Sequence, residues 1–305
     1  MVKSRRAGRR SVLRRRESVA FYAFMSPALI GIIFLFAVPL VATLYLSFTS
    51  WNLIQSPRWV GVANYARLLF NPGSDFINAL KNTGYYAVLL VPINLVLSLG
   101  FALLLNRVKV LARFFRTAFY LPSTIPIVAV VMLWSWLLAP SGLLNQGLSV
   151  FGIHGPAWLV DPNWVKDGLI IMGVWQFGGS LVLFLAAMQG IPRYFYEATE
   201  LDGAGRWQQF RSITIPMLSP ILLFNLITGI IGALQVFAQV YIITGGHNPG
   251  ADMIVPLVYQ NAFQFNRMGD ASAMSVIFVL LILVITMVIL ATSRRWVYYE
   301  GEVGR

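Results

Sequence analysis

The sequence has no cysteine and only two histidines, His154 and His247. Those absences exclude disulfide scaffolds and thiolate metal sites, and they remove almost all histidine-based acid–base chemistry. Charge is scarce as well: Asp, Glu, Lys and Arg make up 11% of the 305 residues, against 58% hydrophobic residues. So few polar side chains cannot cover a water-soluble body of this length, which places the chain in a membrane. The four lysines, Lys3, Lys81, Lys109 and Lys166, include none in a G-x-x-x-x-G-K-[ST] setting. The chain therefore has no phosphate-binding loop of its own; ATP, if it drives the protein, is expected on a partner, and no cofactor and no catalytic residue are expected here.

Six runs are long enough to cross a hydrocarbon core, which takes about 20 apolar residues. They cover 21–48, 82–105, 117–139, 168–189, 220–243 and 271–292, and none contains a charged side chain. The expected fold is an all-α polytopic membrane protein with six transmembrane helices. Pro39, Pro92, Pro122 and Pro126 fall inside these runs. Membrane bundles tolerate such prolines because neighbours re-satisfy the freed carbonyls, so each run is read as one unbroken span. The first run exceeds the roughly 7–15 residues of a signal core and lacks an evident small-x-small cleavage site, so it reads as a retained span.

The formal charge of +12 is concentrated at one end, with eight of the 23 basic residues in the first sixteen positions beside an apolar run. That placement suits an anionic membrane face and not nucleic acid. Basic residues gather in short cytoplasmic segments. With the N-terminus inside, 18 of the 23 fall on the inner side and 5 on the outer, so both termini are expected in the cytoplasm of a bacterial or archaeal cell, with the chain in its inner membrane. Trp51, Trp59, Trp158 and Trp164 near the outer ends, and Trp296, Tyr298 and Tyr299 near the inner end, fit interfacial aromatic belts. The organisation is a basic tail over 1–18, the first span and outer loop over 19–78, a membrane core over 79–293 and a short tail over 294–305.

Nothing ionisable lies inside the runs. Ion-coupled carriers and pumps usually place such groups there, and a membrane-embedded enzyme needs an acid, base or metal ligand at depth. Na⁺ can be held by carbonyls and hydroxyls alone, so a secondary carrier for a small polar solute remains the alternative reading.

The inner segment 190–219 carries the most information. Pro192 suits a helix start, Glu197, Glu200 and Asp202 supply acid, and Gly203 with Gly205 permits a turn. Residues 206–213 can form a second short helix that Pro216 stops. On composition alone the segment reads equally well as a solvated amphipathic loop. Its residues, however, fall in a recognisable order: Glu197-Ala198-Thr199, Asp202-Gly203-Ala204 and Ile213-Thr214-Ile215-Pro216. That order resembles the EAA loop of binding-protein-dependent ABC importer permeases, with Thr199 in place of the second alanine and Ile215 in place of leucine. The resemblance implies the type I ABC importer transmembrane fold. It also implies that the loop is a coupling helix seated on an ATPase subunit, with Glu197, Ala198, Asp202, Gly203, Ile213 and Pro216 as its residues. The partners it implies are a second, homologous permease chain, two ATP-binding subunits and an extracytoplasmic solute-binding protein.

The likeness extends over roughly 27–295 and points to the carbohydrate-uptake branch. Gly61-Val62-Ala63-Asn64-Tyr65 is similar to G-L-x-N-Y of that branch. Arg113-Phe114-Phe115-Arg116 with Tyr120-Leu121-Pro122, Trp134 and Trp136, Gly142-Leu143-Leu144-Asn145, and the run 237–246 also resemble it. The stretch 247–252 departs from the branch pattern. A sugar's hydroxyls need replacement hydrogen bonds when they leave water. Trp175, Gln176 and Ser180 in span four, with Asn225, Gln235, Gln239 and Tyr241 in span five, are neutral polar or aromatic groups able to line such a pathway. If span five is unbroken, its amides share one side of the helix. The other reading is that they bond neighbouring helices. Without intramembrane charge, an uncharged substrate is favoured. His247 reads as an exposed loop residue.

Overall fold

The computed structural model describes residue 17 and residues 20–71, 73–108, 111–245 and 248–298. The basic tail, His247 and Tyr299 fall outside these apart from Glu17. Five helical spans are long and apolar enough to cross a bilayer: Ala20–Ser47 (α1), Asp75–Arg107 (α3), Val165–Gly190, Arg206–Thr244 and Met268–Ser293 (α14). A bent pair makes a sixth if its two halves count as one span. Between α1 and α3 lie the strands Thr49–Ser50 (β1) and Arg58–Trp59 (β2), paired antiparallel, and the short helix Ala63–Phe70 (α2).

Three spans expected to be continuous are broken. The third consists of Ala112–Tyr120 (α4), a 3₁₀ turn over Leu121–Thr124, and Ile127–Leu137 (α5), with 99° between the halves. Pro126 cannot donate a helical hydrogen bond and disfavours helical backbone at Ile125, which is extended at φ −73°, ψ 133°. After Leu143–Val150 (α6), the fourth span divides into Val165–Val174 (α7) and Gly178–Gly190 (α8). The fifth divides into Ile215–Leu234 (α11) and Ala238–Thr244 (α12), with Phe237 out of helical geometry at φ −131°, ψ −65°.

The other prolines behave differently. Pro92 lies within continuous α3. Pro39 and Pro216 each follow a π turn in the same register: Val38 N–H bonds Ile33 O, and Ile215 N–H bonds Phe210 O, just before the proline. The widened turn relieves the clash between the ring and the preceding carbonyls, so the chain keeps its helical course. Pro216 therefore does not stop the second loop helix as expected. Arg206–Gln209 (α10) runs through the π turn Phe210–Thr214 into α11.

Apolar helices gain little hydrophobic drive from packing in lipid, so close approach and hydrogen bonds decide which faces meet. α3 is the hub, packed against α7, α8 and α11. One buried cluster, including Phe76, Leu90, Leu169 and Met253, holds one end of the bundle; the other, including Ala102, Leu181, Phe184 and Leu218, holds the opposite end. α1 packs on α14, yet none of its most apolar stretch is buried within the chain.

Candidate functional site

The segment 190–219 folds as two short helices. Pro192 precedes Arg193–Leu201 (α9), which ends in a closed turn: Gly203 N–H bonds Glu200 O at 3.0 Å and Ala204 N–H bonds Thr199 O at 2.9 Å. This is the Schellman arrangement, and it demands a left-handed residue that Gly203 supplies at φ +78°. Gln209 Nε2 donates to Tyr196 O at 3.4 Å, and the hydroxyls of Tyr196 and Thr214 share a hydrogen bond of 3.0 Å. Thr199 Oγ1 donates back to Phe195 O and Tyr196 O. α9 is thereby pinned to the base of α11.

The predicted loop residues divide into two groups. Glu197, Ala198, Asp202 and Gly203 are exposed together, and beside them Leu201 is 90% exposed. Ile213 is buried in the cluster that includes Ala102, Leu181, Phe184 and Leu218, and Pro216 is half-buried, so these two belong to the base and not to the exposed face.

The predicted pathway residues are not one stripe. Asn225 is buried and its amide donates to Ile221 O of its own helix at 2.9 Å. Gln235 ends α11 and is exposed, while Gln239 lies on α12 beyond the break. Trp175 and Gln176 occupy the link between α7 and α8, and Ser180 follows in the first turn of α8. Trp175 meets Trp134 of α5 edge-to-face at 5.9 Å. Tyr241 stacks on Phe237 at 5.2 Å, contacts the Tyr259 ring at 5.1 Å and accepts from Gln264 Nε2 at 3.1 Å.

Tyr259 ends the helix Ile254–Tyr259 (α13), outside every apolar run, and it also contacts Phe263. Tyr259, Phe263 and Gln264 were therefore missed; their aromatic and amide character was the only available signal. Asn94 and Ser98 of α3 were missed too. Ser98 Oγ donates to Phe177 O at 3.0 Å and Asn94 Nδ2 to Gly173 O at 3.5 Å, so α3 adds a second hydrogen bond to two carbonyls flanking the break in span four, which also accept from the N–H groups of Leu181 and Gln176. Asn94 Oδ1 and Trp134 Nε1 are buried there without a hydrogen-bond partner.

Two motif asparagines organise loops. Asn64 Nδ2 donates to Ser47 O and Thr49 O, and Tyr65 shares a 2.6 Å hydrogen bond with Ser47, which fixes α2 to the end of α1. Asn145 bonds Pro140 O, Pro156 O and Trp158 Nε1. Arg67 pairs with Asp270 and bonds Asn64, beside a polar pocket of about 490 Å³ that also includes Asn261 and Arg267. Lys166 rests over the Tyr85 ring and donates to Asn82 Oδ1. It lies in the first turn of α7, so this span's helix reaches beyond its apolar run. Among the described residues no group of His, Asp and Glu could hold a metal ion.

The family model for the binding-protein-dependent transport system inner membrane component matches residues 94–298. The probable ABC transporter permease protein YesP of Bacillus subtilis is 37% identical over 293 residues, covering 94% of each chain. The lactose transport system permease protein LacF of Rhizobium radiobacter is 34% identical, covering 94% of this chain and 98% of its own. The crystal structure of a bacterial ABC transporter that imports the acidic polysaccharide alginate contains a chain that superposes with a TM-score of 0.82 at 28% identity, covering 94% of this chain and 99% of that one. The broken spans, the capped helix pair and these likenesses together place the chain in the binding-protein-dependent inner membrane component family, the multi-pass permeases of ABC importers with the type I fold.

Proposed function

We propose that this chain forms half of the translocation pore of an ATP-driven importer for a neutral sugar, and that α9 couples the pore to an ATPase. The observation that carries this reading is the capped α9, tied through Tyr196 to the base of span five while Glu197, Ala198, Leu201 and Asp202 stay exposed. A short helix held this way moves as one body, which is what transmitting closure of a partner requires. Glu197 is assigned a basic partner group, Ala198 close packing, and Gly203 the turn. ATP is bound by two partner subunits, and this chain supplies the path without bond-breaking chemistry. A second, homologous permease completes the pore, and a solute-binding protein delivers the sugar outside, in keeping with the family's description. Both termini face the cytoplasm.

The sugar assignment draws on the lactose permease among the relatives and on the aromatic and amide groups at the breaks, Trp175, Gln176, Ser180, Tyr241 and Gln239. Flat rings and neutral hydrogen-bonding groups suit hydroxyl-rich rings, and broken helices are where membrane transporters expose free backbone groups to a solute. A neutral substrate is preferred over an acidic one because the six apolar runs contain no charge.

The test is purification of the chain from its native membrane in mild detergent, as wild type and as Gly203→Pro. An ATPase subunit and a second permease are expected with wild type, and the ATPase is expected to be lost from the variant. Uptake is expected to stop on ATP depletion with the ion gradient intact. Wild type without any ATPase, or uptake that survives depletion, would establish a secondary carrier instead.

A further inference from the structure

A groove of about 630 Å³ runs between α3 and α10. Its wall is the outward face of α3, where Val96 and Leu104 are 70% and 61% exposed, and its floor is at Gly100, where an added Cβ would meet nothing within 4 Å. At one end of the groove lie Arg107 and Arg206, with Trp207, 73% exposed, beside them. Neither guanidinium is ion-paired among the described residues, where Arg67–Asp270 is the salt bridge. The distance along α3 from Val96 to Arg107 is about 16 Å at 1.5 Å per residue. That is about half of a 30 Å hydrocarbon core, the depth of one leaflet.

We propose that this groove is a site for an anionic phospholipid, with an acyl chain along Val96, Gly100 and Leu104 and its phosphate between Arg107 and Arg206. The apolar length matches one chain, and two cations without an acidic partner among the described residues match a phosphate, which guanidinium groups bind through parallel hydrogen bonds. Trp207, in the same lining, carries an indole ring, and such rings favour the headgroup region. A helix of the second permease would fill the apolar part, but it would leave both guanidinium groups unanswered unless it brought an acid. The site lies at the end of the bundle that we assign to the cytoplasm, where anionic lipid attracts basic groups. Because Arg206 and Trp207 belong to the arm that runs into α11, the lipid touches the same element that anchors α9.

The experiment uses the chain with its co-purifying subunits in nanodiscs of phosphatidylcholine containing either brominated phosphatidylglycerol or brominated phosphatidylcholine. The signal is the share of tryptophan fluorescence that Trp207→Phe removes. Brominated phosphatidylglycerol is expected to quench that share several-fold more than brominated phosphatidylcholine. The Arg107→Gln/Arg206→Gln pair is expected to abolish the difference, and Gly100→Leu, which fills the floor, to reduce quenching by both lipids. Inorganic phosphate added to phosphatidylcholine discs is expected not to displace the brominated lipid. Equal quenching by the two lipids in wild type would overturn the proposal, as would a photoreactive group at Leu104 that crosslinks to a protein helix and not to lipid. Co-purification of an ATPase, read on the same samples, keeps failure of this site distinct from failure of the importer reading.

Discussion

Gly178 sits where no side chain fits: a Cβ there would lie 2.0 Å from the carbonyl oxygen of Phe119, backbone against backbone. Gly179, one residue on, has open space around it. Gly178→Ala is therefore expected to push α8 from α4 and to destabilise the bundle by about 1–3 kcal/mol. Gly179→Ala is expected to be neutral or to stabilise by about 0.5–1 kcal/mol, since glycine is a poor helix former. Thermal unfolding in detergent checks both, and an equal loss from the two would refute the close-contact account. Tyr241 offers a functional counterpart, because its ring stacks on Phe237 while its hydroxyl accepts from Gln264. If this cluster lines the sugar path, Tyr241→Ala raises the KM for uptake several-fold with assembly unchanged, whereas Tyr241→Phe has a smaller effect. Tyr241 could be picked out from the sequence as an aromatic near the end of a span. Its neighbours could not, because Tyr259 and Gln264 arrive from a segment about twenty residues away that has no span signal.

Helix ends and breaks separate what local chemistry dictates from what it does not. The turn after α9 was legible, since Gly203 after an acidic amphipathic stretch predicts a left-handed cap and the Schellman bonds are there. The course of the chain at Pro216 was not, because one proline is compatible with a stop or with a π turn. What chose between them is the buried placement of Ile213 and Thr214 against the inner cluster, which holds α10 in line with α11. The same ambiguity misled the reading of the third span, where Pro126 produces a 99° bend while Pro92 leaves α3 intact. At this scale Leu201→Asp is expected to remove the ATPase partner without changing the chain's own thermal stability, because a side chain that is 90% exposed makes few contacts within the chain. A loss of stability matching the loss of partner would show instead that α9 depends on Leu201 for its own packing.

At the scale of the whole molecule, α3 holds the bundle together and α1 stands apart, joined to α14 but with its most apolar stretch unburied. With the bent pair crossing as one span, the count is six and the two ends of the described chain lie on one side of the membrane. The absence of native cysteine allows a direct check, since single cysteines are the only labelling sites. Gln55→Cys, in the loop after α1, is expected to react with an impermeant maleimide from outside intact cells. Gln208→Cys, in the inner helix pair, is expected to react only after the membrane is opened. The reverse pattern would invert the orientation drawn from the basic residues.

Composition alone determined that this chain lives in a bilayer, because its few charges cannot cover a soluble surface, and the six runs determined where crossings are possible. The order of residues in 190–219 was enough to expect a capped helix pair, since a cap and its glycine act over a handful of neighbouring positions, and the family entered through the resemblance of that order to the EAA loop. Tertiary structure decided where spans four and five break, and that Pro126, not Pro92, bends its span. The side chains that hold the break in span four, Ser98 on Phe177 O and Asn94 on Gly173 O, come from a helix about eighty residues away. It also decided that Tyr241 meets Tyr259, because that contact depends on how separate helices pack and not on the spacing within either of them.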